Sequence, residues 1–305
     1  MTTVKISILF GAVELGLIYA IMVLGVYITF RTLDFPDLTV DGSFTLGAAT
    51  AAVLITGGYS PWLGLAVAPL MGVLAGICTG ILHAKFKITP LLAGILSMTA
   101  LYSVNLRIMG KANVPLLGMD TVYSDLVRLG LPQKYVALVF GAAMVMLLIF
   151  FLYWLFQTEL GLALRATGDN ETMVKSLGIN VDRMKLFGLG LGNGLVALCG
   201  ASIAQFQGFA DIGMGIGMII SGLAAVIIGE VLIGTGSLLR IFLAVAGGSL
   251  VYRLIISLVL RLGLQSTDLK LVTAVLVVLA LTVPQFKVKQ QLMGRWSGAS
   301  FEEGN

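Results

Sequence analysis

WLGLAVAPLMGVLAGICTGIL, Trp62–Leu82, carries no charged side chain. A helix needs about 20 apolar residues to cross a ~30 Å hydrocarbon layer, and this stretch is long enough. Gly72, Gly76 and Gly80 recur every four residues along it, on one helical face, where missing side chains let a second backbone approach. Outward from it lie similar uncharged or nearly uncharged runs: Ile8–Thr29, Ile88–Leu106, Tyr135–Phe156, Leu186–Phe206, Ile212–Ile233 and Ile241–Leu260. Two shorter runs, Phe44–Ile55 and Leu269–Val283, are expected to be tilted helices held among the others, or segments that turn back before crossing. The runs are continuous rather than alternating, which argues against a β-barrel. The expected fold is all-α: one transmembrane domain over residues 1–305 with about eight or nine membrane helices.

Composition points the same way. Of 305 residues, 58% are hydrophobic and 11% charged, against about 25% charged in a typical soluble domain. The net charge of +4 is spread without a basic block, which excludes a nucleic-acid binder. Cys78 and Cys199 sit in apolar runs without metal-ligand spacing, and His83 is the sole histidine. Neither a zinc site, a haem nor a catalytic triad can be built from that set. The phosphate-loop pattern is missing; Gly110-Lys111 lacks the upstream glycine and the following hydroxyl. Any ATP used must therefore bind another subunit, and no cofactor is expected on this chain. The run from Ile8 exceeds the roughly 7–15 apolar residues of a signal-peptide core and reads as a retained membrane helix.

Orientation follows the Lys/Arg balance. With Gln157–Lys185 placed in the cytoplasm, Arg31, Lys85, Lys87, Arg240, Lys287, Lys289 and Arg295 fall on the same side. Lys5, Arg107, Lys111, Arg128, Lys134, Arg261 and Lys270 fall on the other, and Arg253 lies within a run. The C-terminus is then cytoplasmic; nine crossings put the N-terminus outside, eight inside. Asp37–Ile55 (DLTVDGSFTLGAATAAVLI) and Asp211–Gly229 (DIGMGIGMIISGLAAVIIG) both open on Asp, pass through Gly and continue into small residues. In a nine-span count they are the second and seventh spans. That odd offset gives the two halves opposite orientations, the arrangement of an inverted repeat. Gly188 with Gly192, Gly190 with Gly194, and Gly213 with Gly217 repeat the four-residue spacing and are expected at helix contacts.

The loop Gln157–Lys185 contains a short helix of its own. Asp169 is positioned to cap it, Glu171 suits the positive end of its dipole and Gly178 suits a left-handed stop. Asn180 or Asp182 can cap the helix that follows. Met173, Val174 and Leu177 line one side, and an apolar stripe on a short solvent-side helix calls for a groove to receive it. The alternative is a helix lying on its own protein or on lipid headgroups.

The stretch Gly161…Arg165-Ala166…Leu177-Gly178-Ile179-Asn180…Asp182-Arg183…Gly192…Gly200…Gln205-Phe206-Gln207-Gly208 resembles the coupling loop and following helix of bacterial ABC-importer permeases of the branched-chain amino acid and ribose permease superfamily. Leu33–Gly47 (LDFPDLTVDGSFTLG) sits where those permeases carry an Asn-Phe-Ala-His-Gly-like segment; this acidic form is similar to a subgroup of tryptophan/tyrosine-type solute permeases. The resemblance covers nearly the whole chain. It implies a bacterial inner-membrane permease subunit with a separate ABC ATPase pair, an extracytoplasmic solute-binding protein and a second permease copy. It also implies that Arg165, Gly168, Asp169, Glu171, Met173, Val174, Leu177 and Gly178 form the ATPase-coupling segment.

Candidates for the translocation pathway are Asp34, Asp37, Asp41, Asn105, Asn193, Gln205 and Asp211. Carboxylates beside the membrane are costly unless they meet water, ions or partners. Pro36 and Gly42 interrupt the backbone near three of them, and such carboxylates can attract an amine. Each polar residue could equally serve as a cap or as interhelical hydrogen-bond glue. Glu230 is expected to pair with Arg240 or to join the coupling contacts. The function expected is that of an ATP-driven importer of an amino acid or similar small solute; the alternative is an ion-driven secondary transporter that uses the aspartates.

Overall fold

The computed structural model describes residues 2–261, 271–275, 278 and 282, with side chains from Leu9 onward. Among these, seven helices are long and apolar enough to cross a membrane. α1 (Thr2–Val26) continues into a wider π-helical turn, Tyr27–Thr32. It is followed by α2 (Thr39–Thr56), α3 (Pro61–Ala84) and α4 (Pro90–Met109). A short strand β1 (Asn113–Pro115) and helix α5 (Val122–Arg128) lead to α6 (Val136–Gln157). Two helices outside the spans, α7 (Glu159–Asp169) and α8 (Glu171–Ser176), precede the long α9 (Val181–Gln207). Strand β2 (Phe209–Asp211), α10 (Met218–Ile233) and α11 (Leu238–Arg261) follow. The candidate span Leu269–Val283 lies mostly outside the described residues, as does the basic tail.

Two lengths depart from the sequence expectation. The short run Phe44–Ile55 belongs to an 18-residue helix, because Thr39–Ser43 add a turn that hydropathy alone does not mark. Conversely, Ile212–Ile233 yields only the 16 residues of α10. The chain over 212–217 turns instead, and Gly217 ends that turn at φ +85°, which an L side chain rarely adopts. Gly213 and Gly217 therefore make a turn rather than a helix contact. β1 and β2 pair antiparallel, with Asn113 opposite Asp211, a small strand element that continuous apolar runs do not announce.

α9 is the axis of the bundle, nearly all of it buried against α1, α2 and α3. Its approach to α3 depends on glycine: a Cβ at Gly72 would run into Asn193, and one at Gly76 into the Leu189 carbonyl. Dispersion across that dry contact and backbone proximity hold the pair where lipid removes the hydrophobic drive. The packing is paired as the sequence echo is. α9 lies on α3 as α1 lies on α11, and α2 lies on α3 as α10 lies on α11. α2 and α10 both begin near mid-bundle and run to opposite ends. The basic groups Arg31, Lys87, Lys185 and Arg240 share one end with α7 and α8. β1, β2 and α5 occupy the other.

Candidate functional site

At the basic end, local chemistry builds α7 and α8 in sequence. Thr158 caps α7, accepting from the Gly161 amide at 3.4 Å. α7 packs so closely on the end of α1 that a Cβ at Gly168 would meet the Thr32 carbonyl. Asn170, not Asp169, caps α8, its Oδ1 accepting from the Met173 amide at 3.0 Å; Asp169 ends α7 and is exposed. Gly178 makes the left-handed stop at φ +79°. Asn180 caps α9 through the Arg183 amide at 3.1 Å.

The expected three-residue stripe on α8 is split. Val174 is fully buried against the protein, while Met173 and Leu177 are 54% and 64% exposed. An i, i+4 pair shares one face and leaves the residue between them turned inward. Behind that face the helix is anchored by charge: Glu171 pairs with Lys185, which is itself buried, and with Lys175 at 3.8 Å. Lys185 Nζ lies 3.1 Å from His83 Nε2, and His83 Nδ1 lies 2.8 Å from the Ile88 carbonyl. A carbonyl only accepts, so Nδ1 carries the proton and Nε2 takes the ammonium's hydrogen. Partial burial of Glu171 opposes its ionisation. Its hydrogen bond to Lys185 and the charges of Lys185 and Lys175 outweigh this, leaving the carboxyl below the ordinary glutamate range. Arg165 is exposed on α7.

The second cluster lies at mid-bundle. After the π-turn the chain re-enters through Leu33–Leu38 and buries Asp37 to 1% exposure. Its Oδ1 accepts from the Thr39 amide at 2.9 Å and its Oδ2 from Asn193 Nδ2 at 2.6 Å. Thr39 lies 2.8 Å from Thr79, whose hydroxyl reaches Ser97 at 2.7 Å, extending a polar thread across α2, α3 and α4. Asp41, on the first turn of α2, accepts from the Gly217 and Ile219 amides at 2.8 and 2.9 Å. It thus caps α10 from another helix, and the two echoing segments meet there.

The remaining pathway candidates are dispersed. Asn105 donates to the Gly42 carbonyl at 3.1 Å. Gln205 uses both ends of its amide, accepting from the Val122 amide and donating to the Pro61 carbonyl. Asp211 accepts from the Gly213 amide at 2.8 Å and from Asn113 at 3.3 Å. Asp34 is exposed, in a left-handed conformation. The structure thus brings Asp37 and Asn193 together and joins Asp41 to α10; Asn105, Gln205, Asp211 and Asp34 stand apart from that pair. Asn193 Oδ1 and Asn105 Oδ1 are buried without a hydrogen-bond partner. Within the span of α11, Arg253 stacks on the Tyr19 ring at 3.5 Å.

Sequence reasoning missed Thr39, Thr79 and Ser97, because a hydroxyl in an apolar run carries no signal of its partner. Of the two readings of Glu230, the pairing with Arg240 is not the one formed: its carboxylate binds Arg31.

Set beside known proteins, the chain matches over residues 8–282 the family described as "Branched-chain amino acid transport system / permease component". A tyrosine transport system permease protein of Clostridioides difficile is 46% identical over 263 residues, which is 86% of each chain. The "Probable branched-chain amino acid transport permease protein LivH" of Methanocaldococcus jannaschii is 26% identical, over 84% of this chain and 88% of its own length. Among solved structures, "PsaBC from Streptococcus pneumoniae in complex with Fab" superposes at a TM-score of 0.51 with 16% identity, over 90% of this chain and 89% of that one. At that identity the likeness is one of fold.

Proposed function

Because the chain belongs to the branched-chain amino acid transport system permease family, as a multi-pass protein of the bacterial plasma membrane, we propose that it forms the pathway of an ATP-driven importer for an amino acid. The tyrosine permease relative supports an aromatic amino acid as the cargo. A separate ABC ATPase pair supplies the energy, an extracytoplasmic binding protein delivers the solute, and a second copy of this chain completes the pathway. The basic end faces the cytoplasm, in keeping with the positive-inside rule. ATP-driven closure of the ATPases moves α7 and α8, and the bundle switches which face is open.

The observation that carries this reading is α8. A six-residue helix is not stable alone in water, yet this one is capped, ion-paired and pinned through Val174. Met173 and the residue that ends the helix, Leu177, nevertheless point away from the protein. That is the form of a helix presented to a groove.

The test is copurification. Met173→Asp combined with Leu177→Asp should abolish recovery of the ATPase on the tagged permease, while membrane insertion and thermal stability stay unchanged, since both positions are exposed. Full ATPase recovery would remove α8 as the docking element. Uptake into vesicles on an ion gradient without ATP would replace the importer reading with a secondary transporter.

A further inference from the structure

The last turn of α1 stands between the docking segment and α10, and it touches both. Its π-helical winding is local: the Leu33 amide reaches the Ile28 carbonyl at 3.1 Å, and the Phe35 amide the Thr29 carbonyl at 3.0 Å. Such single-turn π segments occur often at functional sites. On one side, the Thr32 carbonyl meets Gly168 of α7, and Leu33 fills the space beside Gly188 and Leu164. On the other side, Arg31 Nε and Nη2 reach both carboxylate oxygens of Glu230, at 2.9 and 3.0 Å. The fork is bidentate, so it fixes direction as well as distance. The Glu230 side chain is 13% exposed and that of Arg31 58%. The carboxylate is seated in the protein while the guanidinium can leave into water.

α10 is suited to move as one body. It is short, and its first turn hangs on Asp41 next to the glycine turn over 213–217. Its flanks are smooth: Gly222 lies against Val26, Gly229 against Ala244, and Ala225 against Gly248 of α11. It is held by Asp41 at one end and by Arg31 at the other, and the second tie is the more exposed.

Building on the importer reading above, we propose that Arg31 and Glu230 are positioning residues for transport: a releasable joint through which movement of α7–α8 reaches α10 and swings it about its Asp41-held end. Neither residue touches solute. They act by holding α10 in one of two seats until the π-turn is displaced.

The experiment uses the full chain with its ATPase partner in lipid nanodiscs, with Cys78→Ser and Cys199→Ala as background. Spin labels at exposed positions report two distances: Leu232→Cys on α10 with Leu96→Cys on α4, and Leu162→Cys on α7 with Leu96→Cys. In the parent chain, Mg-ATP with vanadate should shift both distances relative to the nucleotide-free complex. With Glu230→Gln the α7 shift should persist and the α10 shift should be lost. The exchanged pair, Arg31→Glu with Glu230→Arg, should restore the α10 shift, which separates a directed joint from general loosening. An α10 shift that survives Glu230→Gln overturns the joint. An α7 shift with no α10 shift in the parent chain overturns it too. Failure of any ATPase to bind this chain overturns the importer reading, and the joint with it.

Discussion

At the residue scale, the pair Asp37–Asn193 carries the largest local consequence. A carboxylate buried to 1% exposure is tolerated because the Thr39 amide and the Asn193 amide nitrogen satisfy it. Asn193→Leu removes one of those donors and leaves a buried acceptor unpaired, at a cost of about 3 kcal/mol. Titration with SDS from mild detergent should show that loss in the unfolding midpoint. Adding Asp37→Asn should recover part of it, since less charge is then left to satisfy; two additive losses would mean that the residues do not interact. The types of both residues were legible in the chain, and both were candidates for the pathway. Their partnership was not, because 156 positions separate them. Gln205 shows the converse. It was an attractive lining residue on paper, and in the fold it staples the start of α5 and the start of α3 to α9.

At the element scale, α8 shows what local sequence specifies. Its existence, its glycine stop and the Asn180 cap of α9 follow from residues within a turn or two. Which of Met173, Val174 and Leu177 faces out follows from the position of α9, and only the fold supplies that. The anchor of α8 is electrostatic and so depends on pH. The Glu171 carboxyl titrates below its ordinary range, so its contribution is complete above the unfolded glutamate value of about 4.3. It declines as pH falls past that value and is gone below the depressed folded value. A nitroxide at Leu177→Cys should therefore keep constant mobility from neutral pH to about 4.5 and become more mobile below it. With Lys185→Gln the folded carboxyl returns toward its ordinary range, so the mobility change below about 4.5 should shrink; an undiminished change would show that Lys185 does not hold Glu171. α10 teaches the opposite lesson from α8. Its run reads as a full span, and three glycines convert the first quarter into a turn that Asp41 then caps from across the bundle.

At the scale of the whole molecule, α4 and α6 leave much of their apolar surface uncovered, whereas α9 is nearly enclosed. A membrane and a second permease chain are the surroundings proposed for those faces. Native mass spectrometry from detergent should find two copies of the 32.2 kDa chain together. A stable assembly with a paralogous permease in place of the second copy would contradict the homodimer. The paired packing of α1, α10 and α11 with α9, α2 and α3 places the two echoing segments in contact at Asp41.

The chain by itself determined the membrane class, the positions of most spans, the glycine faces of α3 and α9, and the presence of a capped helix between α6 and α9. These properties depend on transfer energy and backbone preference summed over neighbouring residues, so a contiguous window contains them. Only the tertiary structure decided that Asp37 meets Asn193, that Asp41 caps α10, that Val174 turns inward and that Arg31 grips Glu230. Each of those depends on which helices become neighbours, and in lipid that choice rests on close shape matching and a few buried polar pairs distributed over the whole chain.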